Sequence, residues 1–110
     1  MMERSVEFNN VGLSLLDGSK TDAIDWLNID RIFVFKKDLL TSDLICLMID
    51  TKEGALNIDE EMEGYDNLVQ SLPDYLPGCV PFSEWFPVVA FPAFEVNPTI
   101  IYERGKVGSE

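Results

Sequence analysis

The chain contains no histidine. That absence removes imidazole general-base catalysis, Ser-His-Asp and Cys-His nucleophiles, and every zinc site that needs a His ligand. Basic residues are scarce, 8 Lys and Arg against 20 Asp and Glu, for a formal charge of -12. Phosphate backbones must be met by cations, so nucleic acid is excluded as a partner. There are two cysteines, too few for a metal cage. Cys46 sits in an apolar run and Cys79 in a Pro-Gly loop, which reads as one buried thiol and one incidental loop thiol rather than a redox pair. The longest apolar run, Leu44 to Ile49, is six residues, far short of the roughly 20 that span a bilayer, so no membrane span is expected. Met1 to Ser5 lacks the apolar stretch of a signal peptide, and the expected compartment is the cytoplasm.

What is present suits one compact domain of 110 residues, 46% hydrophobic and 25% charged. Its core is expected over 6–103, with a frayed tail over 105–110. The first half reads as strands. Val6 and Phe8, then Val11, Leu13 and Leu15, alternate with polar residues across Asn9-Asn10, predicting one strand with a bend or bulge. Asp17-Gly18 is a hairpin signal, and Thr21 to Trp26 alternates as a second strand. Arg31 to Lys36 and Leu44 to Ile49 are β-branched and aromatic on both faces, which predicts central strands. Thr51 to Gly54 turns into a shorter strand, Ala55 to Ile58.

Beyond Asp59 the period changes. Tyr65, Leu68, Val69, Leu72 and Leu76 have the spacing of one amphipathic helix, to be ended or kinked before Pro73. Pro81, Pro87, Pro92 and Pro98 then interleave with aromatics, predicting an extended arm over the core and a last strand, Thr99 to Glu103. The expected fold is α+β: a curved antiparallel meander of about five strands capped by one helix, with a Pro/aromatic arm and a final strand.

That order, over roughly Val6 to Leu76, resembles the pleckstrin-homology-like half-barrel, which has seven strands where five are expected here. The runs Phe35-Lys36-Lys37-Asp38-Leu39, Asp43-Leu44-Ile45-Cys46-Leu47, Glu60-Glu61-Met62-Glu63-Gly64 and Ala90-Phe91-Pro92-Ala93-Phe94 are similar to a set of small uncharacterised bacterial proteins. This second resemblance implies no activity.

Three features bear on function. Asp59, Glu60, Glu61 and Glu63 offer oxygen ligands of the kind Ca²⁺ or Mg²⁺ prefers, without the spacing of an EF-hand loop. Acids also gather at helix starts, where Asp59 would serve as an N-cap, and that is the favoured reading. In the loop from Lys36 to Asp43 two adjacent lysines cannot both be desolvated, and Asp38 and Asp43 suit turn capping better than acid-base work. Trp85, Phe86, Phe91 and Phe94 either complete the core or form an aromatic patch that anchors partners.

Charge is also lopsided. No base lies between Lys52 and Arg104, where there are ten acids. The expected function is therefore a non-enzymatic, cofactor-free cytosolic module that binds a protein partner of basic charge, of inhibitor or immunity type. The alternatives are a small-ligand or divalent-metal activity at Asp59 to Glu63, and a homo-oligomeric structural component joined through the arm.

Overall fold

The computed structural model describes residues 4–39, 42–90 and 98–104. Among the described residues seven strands form two antiparallel sheets, and two helices lie between the sixth strand and the seventh. The first sheet runs β1 (Arg4–Phe8), β2 (Gly12–Asp17) and β3 (Lys20–Asp25) in sequence order. Its register sets Val6 opposite Leu15 and Leu13 opposite Ile24, so all four face the core.

The expected single bent strand over Val6 to Leu15 is instead a hairpin. The Asn9 side chain is the reason: its Oδ1 accepts the N–H groups of Val11 at 2.8 Å and Gly12 at 3.2 Å, and its own N–H donates to the Gly12 carbonyl at 2.9 Å. This local bonding reverses the chain within three residues. Gly12 is required there because a Cβ would collide with the Ile24 carbonyl oxygen of β3. Asp17-Gly18 turns as expected, with Gly18 at φ 66°. β3 stops before Trp26, which begins a single 3₁₀ turn to Asn28. The ring still enters the core, and its indole N–H donates to the Asn9 carbonyl at 2.8 Å.

The second sheet has the order β6-β5-β4-β7, from β4 (Ile29–Leu39), β5 (Ser42–Thr51), β6 (Gly54–Asp59) and β7 (Thr99–Glu103). The two central strands are the two runs apolar on both faces. Ile32 and Val34 of β4 and Ile45, Leu47 and Ile49 of β5 fill the inner face. Six strands therefore precede the first helix, in two sheets rather than one five-stranded meander. Arg104 ties the junction where the chain passes from one sheet to the other. Its guanidinium donates to the carbonyls of Trp26 and Ile29, both at 2.8 Å, and its backbone N–H donates to the Asp30 carbonyl at 2.8 Å, so two carbonyls of the junction share one cation.

α1 (Tyr65–Tyr75) buries Tyr65, Leu68, Val69 and Leu72, with Leu76 buried just beyond. It continues through Pro73 instead of ending at Leu72. A proline this near the C-terminal end forfeits one bond to the preceding turn, and the Leu76 N–H still closes on the Leu72 carbonyl at 2.9 Å. The N-cap is Gly64 at φ 92°, where a Cβ would strike the Val6 carbonyl.

The larger departure is α2 (Phe82–Ala90), where an extended arm was expected. Phe82, Trp85, Phe86 and Val89 recur at i, i+3, i+4 and i+7, a helical stripe hidden among prolines. Pro81 precedes the helix and costs no intrahelical donor; its carbonyl accepts from Glu84 at 2.9 Å and Trp85 at 3.2 Å. Pro87 forfeits the bond to the Ser83 carbonyl, a loss offset by burial of Trp85 and Val89. β7 occupies the expected residues. Phe91, Phe94 and the expected tail over 105–110 lie outside the described residues. Side chains of both sheets and both helices meet in one apolar cluster. No helix among the described residues is long and apolar enough to cross a membrane.

Candidate functional site

The acidic run does not start a helix. It forms the turn between β6 and α1, and its first two carboxylates are spent on the fold. Asp59 accepts the Arg4 guanidinium at 3.0 Å and, through its other oxygen, the Glu61 N–H at 3.0 Å. The Glu60 carboxylate accepts the Ile45 N–H at 2.8 Å, extending the β5 ladder by one side-chain bond. Glu63 works through its backbone. Its carbonyl accepts Val6 N–H at 2.9 Å and its N–H donates to the Arg4 carbonyl at 3.3 Å, so this turn covers the free edge of β1. Asp59 is thus a turn-former and not the N-cap of α1. Among the described residues no group of three or more His, Cys, Asp or Glu side chains is arranged to hold a metal ion.

The remaining acids face water. Glu61 and Glu63 on the turn, with Asp66 and Asp74 on the outer face of α1, are exposed, and none of them is in an ion pair among the described residues. Asn67 and Gln70 lie between them on the same exposed face. The surface formed is polar, negative and carried on an element anchored by four fully or nearly buried side chains. Beneath it the Tyr65 hydroxyl is pushed well above its ordinary range by burial first, then by Glu60 and Asp66, so it stays a neutral phenol.

The aromatic candidates separate. Trp85 is 1% exposed and packs edge-on to Phe82 at 5.0 Å between centroids; it belongs to the core, and its indole N–H has no hydrogen-bond partner among the described residues. Phe86 is half-buried at the margin of that cluster, 5.1 Å from Phe82.

Of the two adjacent lysines, Lys37 is exposed and Lys36 is only 3% exposed. Lys36 donates to the Ala90 carbonyl at 2.9 Å and pairs with Asp43 at 3.4 Å. A cation on the last carbonyl of α2 also meets the negative end of that helix. This role depends on the end of α2, 54 residues from Lys36 along the chain, and so has no local signal in the sequence.

The cysteines are both buried, Cys79 included, so the incidental loop thiol is in fact part of the core. Burial pushes the Cys79 thiol up to about 12, and burial followed by Asp59 raises that of Cys46. Neither is poised as a thiolate nucleophile at neutral pH.

No protein-family model matches the chain, no curated protein matches it, and no solved structure matches it.

Proposed function

We propose that this protein is a non-enzymatic binding module of the cytoplasm whose negative surface docks a basic protein, in the manner of an inhibitor or immunity protein. The observation that carries the reading is a set of exposed acids with no ion-pair partner among the described residues, Glu61, Glu63, Asp66 and Asp74, fixed on the turn and outer face of α1. Unneutralised like charges on a firmly packed element raise the potential there and speed the encounter with an oppositely charged partner. The raised thiols and the lack of histidine agree with a role that needs no nucleophile. We read the architecture as a departure from the pleckstrin-homology-like half-barrel, the support being its six strands in two antiparallel sheets followed by a helix, with α2 and β7 as additions.

The test is capture of basic proteins from the source cell on the immobilised chain at low salt, beside the triple variant Glu61→Lys, Glu63→Lys, Asp66→Lys. A partner of high isoelectric point should bind the parent, elute as salt rises, and be lost on the variant with its melting temperature intact. Capture that ignores both salt and the three substitutions sinks the reading.

A further inference from the structure

We infer that the outer edge of β3 receives an extended, basic segment of a partner protein as an added strand, in the cleft whose opposite wall is the start of β6. This takes the partner's charge from the reading above and goes beyond it in giving a place and a backbone conformation.

Among the described residues β3 ends its sheet, with a strand on one side only. In an antiparallel ladder, opposed pairs alternate between those that exchange backbone hydrogen bonds and those that do not. The tight turn at Gly18 makes Asp17 and Lys20 a bonded pair, and the bond from the Trp26 N–H to the Val11 carbonyl, 3.0 Å, keeps the same phase at the other end. Asp22 and Ile24 therefore spend their backbone groups on β2, whereas Thr21 and Ala23 turn theirs outward. Both are exposed, and no described residue bonds them on that side.

A cleft of about 150 Å³ opens beside this edge, between Asp22 and Ala23 of β3 and Glu53, Gly54 and Ala55 across it. Its middle is low. Gly54 has no side chain, nothing lies within 4 Å of where its Cβ would be, and Ala23 and Ala55 add only methyls, while Asp22, Thr51, Glu53 and Leu56 stand around them. An incoming backbone therefore meets no side chain at Gly54 and only methyls at Ala23 and Ala55.

The charge selects the occupant. Two copies paired through β3 would bring together two chains of formal charge -12, along a strand that carries Asp22 and Asp25 against one base, Lys20, and charged edges are how monomers avoid such pairing. A strand carrying Lys or Arg at alternate positions meets Asp22 and Glu53 instead, while main-chain bonds to Thr21 and Ala23 hold it.

The experiment uses three seven-residue probes: alternating Lys and Val, the same peptide N-methylated at every amide, and alternating Glu and Val. Backbone amide exchange is followed residue by residue. The Lys-Val peptide should slow exchange at Thr21 and Ala23 by about fivefold or more, the change expected from one modest hydrogen bond. N-methylation, which keeps the charge but removes the donors, should abolish that protection, and the Glu-Val peptide should give none. The double variant Asp22→Asn, Glu53→Gln should weaken the Lys-Val peptide and flatten its salt dependence without altering the melt.

Equal binding of the methylated and unmethylated basic peptides, with perturbations confined to the outer face of α1, overturns strand addition and leaves the acidic docking surface standing. Failure of every basic peptide to bind anywhere removes both. Unchanged affinity in the double variant overturns the charge selection at this edge.

Discussion

Leu68 and Gln70 stand two residues apart on α1 and on opposite sides of it, one fully buried and one exposed. Leu68→Asp removes a core side chain and buries a carboxylate that nothing pairs, so it should cost about 4 kcal/mol or more and leave little folded protein. Gln70→Asp should change stability by less than about 0.5 kcal/mol. Urea melts of both variants check the helix phase, and equal midpoints would refute it. The buried thiols give a second prediction at this scale. Burial pushes the Cys79 thiol up from its ordinary value of 9.0 to about 12. Its protonated form is favoured by the fold, so the stability it contributes is complete below about pH 9 and declines as pH rises from there toward about 12, by up to about 1.4 kcal/mol per pH unit. The slope of unfolding free energy against pH in that window should be shallower in Cys79→Ala than in the parent. A thiol reagent at pH 8 should label neither cysteine until the chain is unfolded.

Among the elements, α2 decides how the C-terminal third behaves. The strands β4, β5 and β7 and the helix α1 are legible in the sequence because each has one dominant signal: β-branched runs covered on both faces, or a clean 3.6-residue stripe. α2 and the β1–β2 hairpin are not, because in each a local exception outweighs a simple rule. Four prolines suggest extended backbone, yet one precedes the helix harmlessly and a second sits in its interior, where packing of Trp85 and Val89 offsets a lost bond. Asn9-Asn10 lacks the Asn-Gly signature of a two-residue turn, and only the Asn9 side-chain bonds and the close approach at Gly12 disclose the reversal. The candidate site shows the same pattern. The acidic run was visible, but which carboxylates were already spent depended on Arg4 and Ile45, 55 and 15 residues away along the chain. Pro87→Ala tests the helix directly. It restores a donor and a good helix former, and should stabilise the protein by about 1–3 kcal/mol, whereas an extended segment would lose stability with its proline. Trp85→Ala should cost about 3–5 kcal/mol through the cavity it leaves, and Phe86→Ala distinctly less. Thermal melts of the three variants discriminate, and a tolerated Trp85→Ala would return that ring to the surface.

At the scale of the whole molecule the governing quantity is charge. A formal charge of -12 is held on a chain with a Cα radius of gyration of 13.8 Å, comparable to the Debye length of about 10 Å in 0.1 M salt. Self-repulsion therefore opposes the compact state, and added salt should relieve it. Raising NaCl from 20 mM to 300 mM should increase the melting temperature whatever the identity of the ions. The divalent-metal reading makes a different demand. A cation held by Asp59, Glu60, Glu61 and Glu63 would stabilise the folded state by mass action, about 2.7 kcal/mol at a hundredfold excess over its dissociation constant, and the effect would saturate. The geometry opposes this, because Asp59 is engaged by Arg4 and the Glu61 N–H, and Glu60 by the Ile45 N–H, which leaves Glu61 and Glu63 as the outward carboxylates of the turn. At matched ionic strength, 5 mM Ca²⁺ or Mg²⁺ should shift the melting temperature no more than Na⁺ does. A saturable rise specific to one ion, abolished by Glu61→Gln with Glu63→Gln, would instead place a cation on the turn and make its charge part of whatever the protein binds.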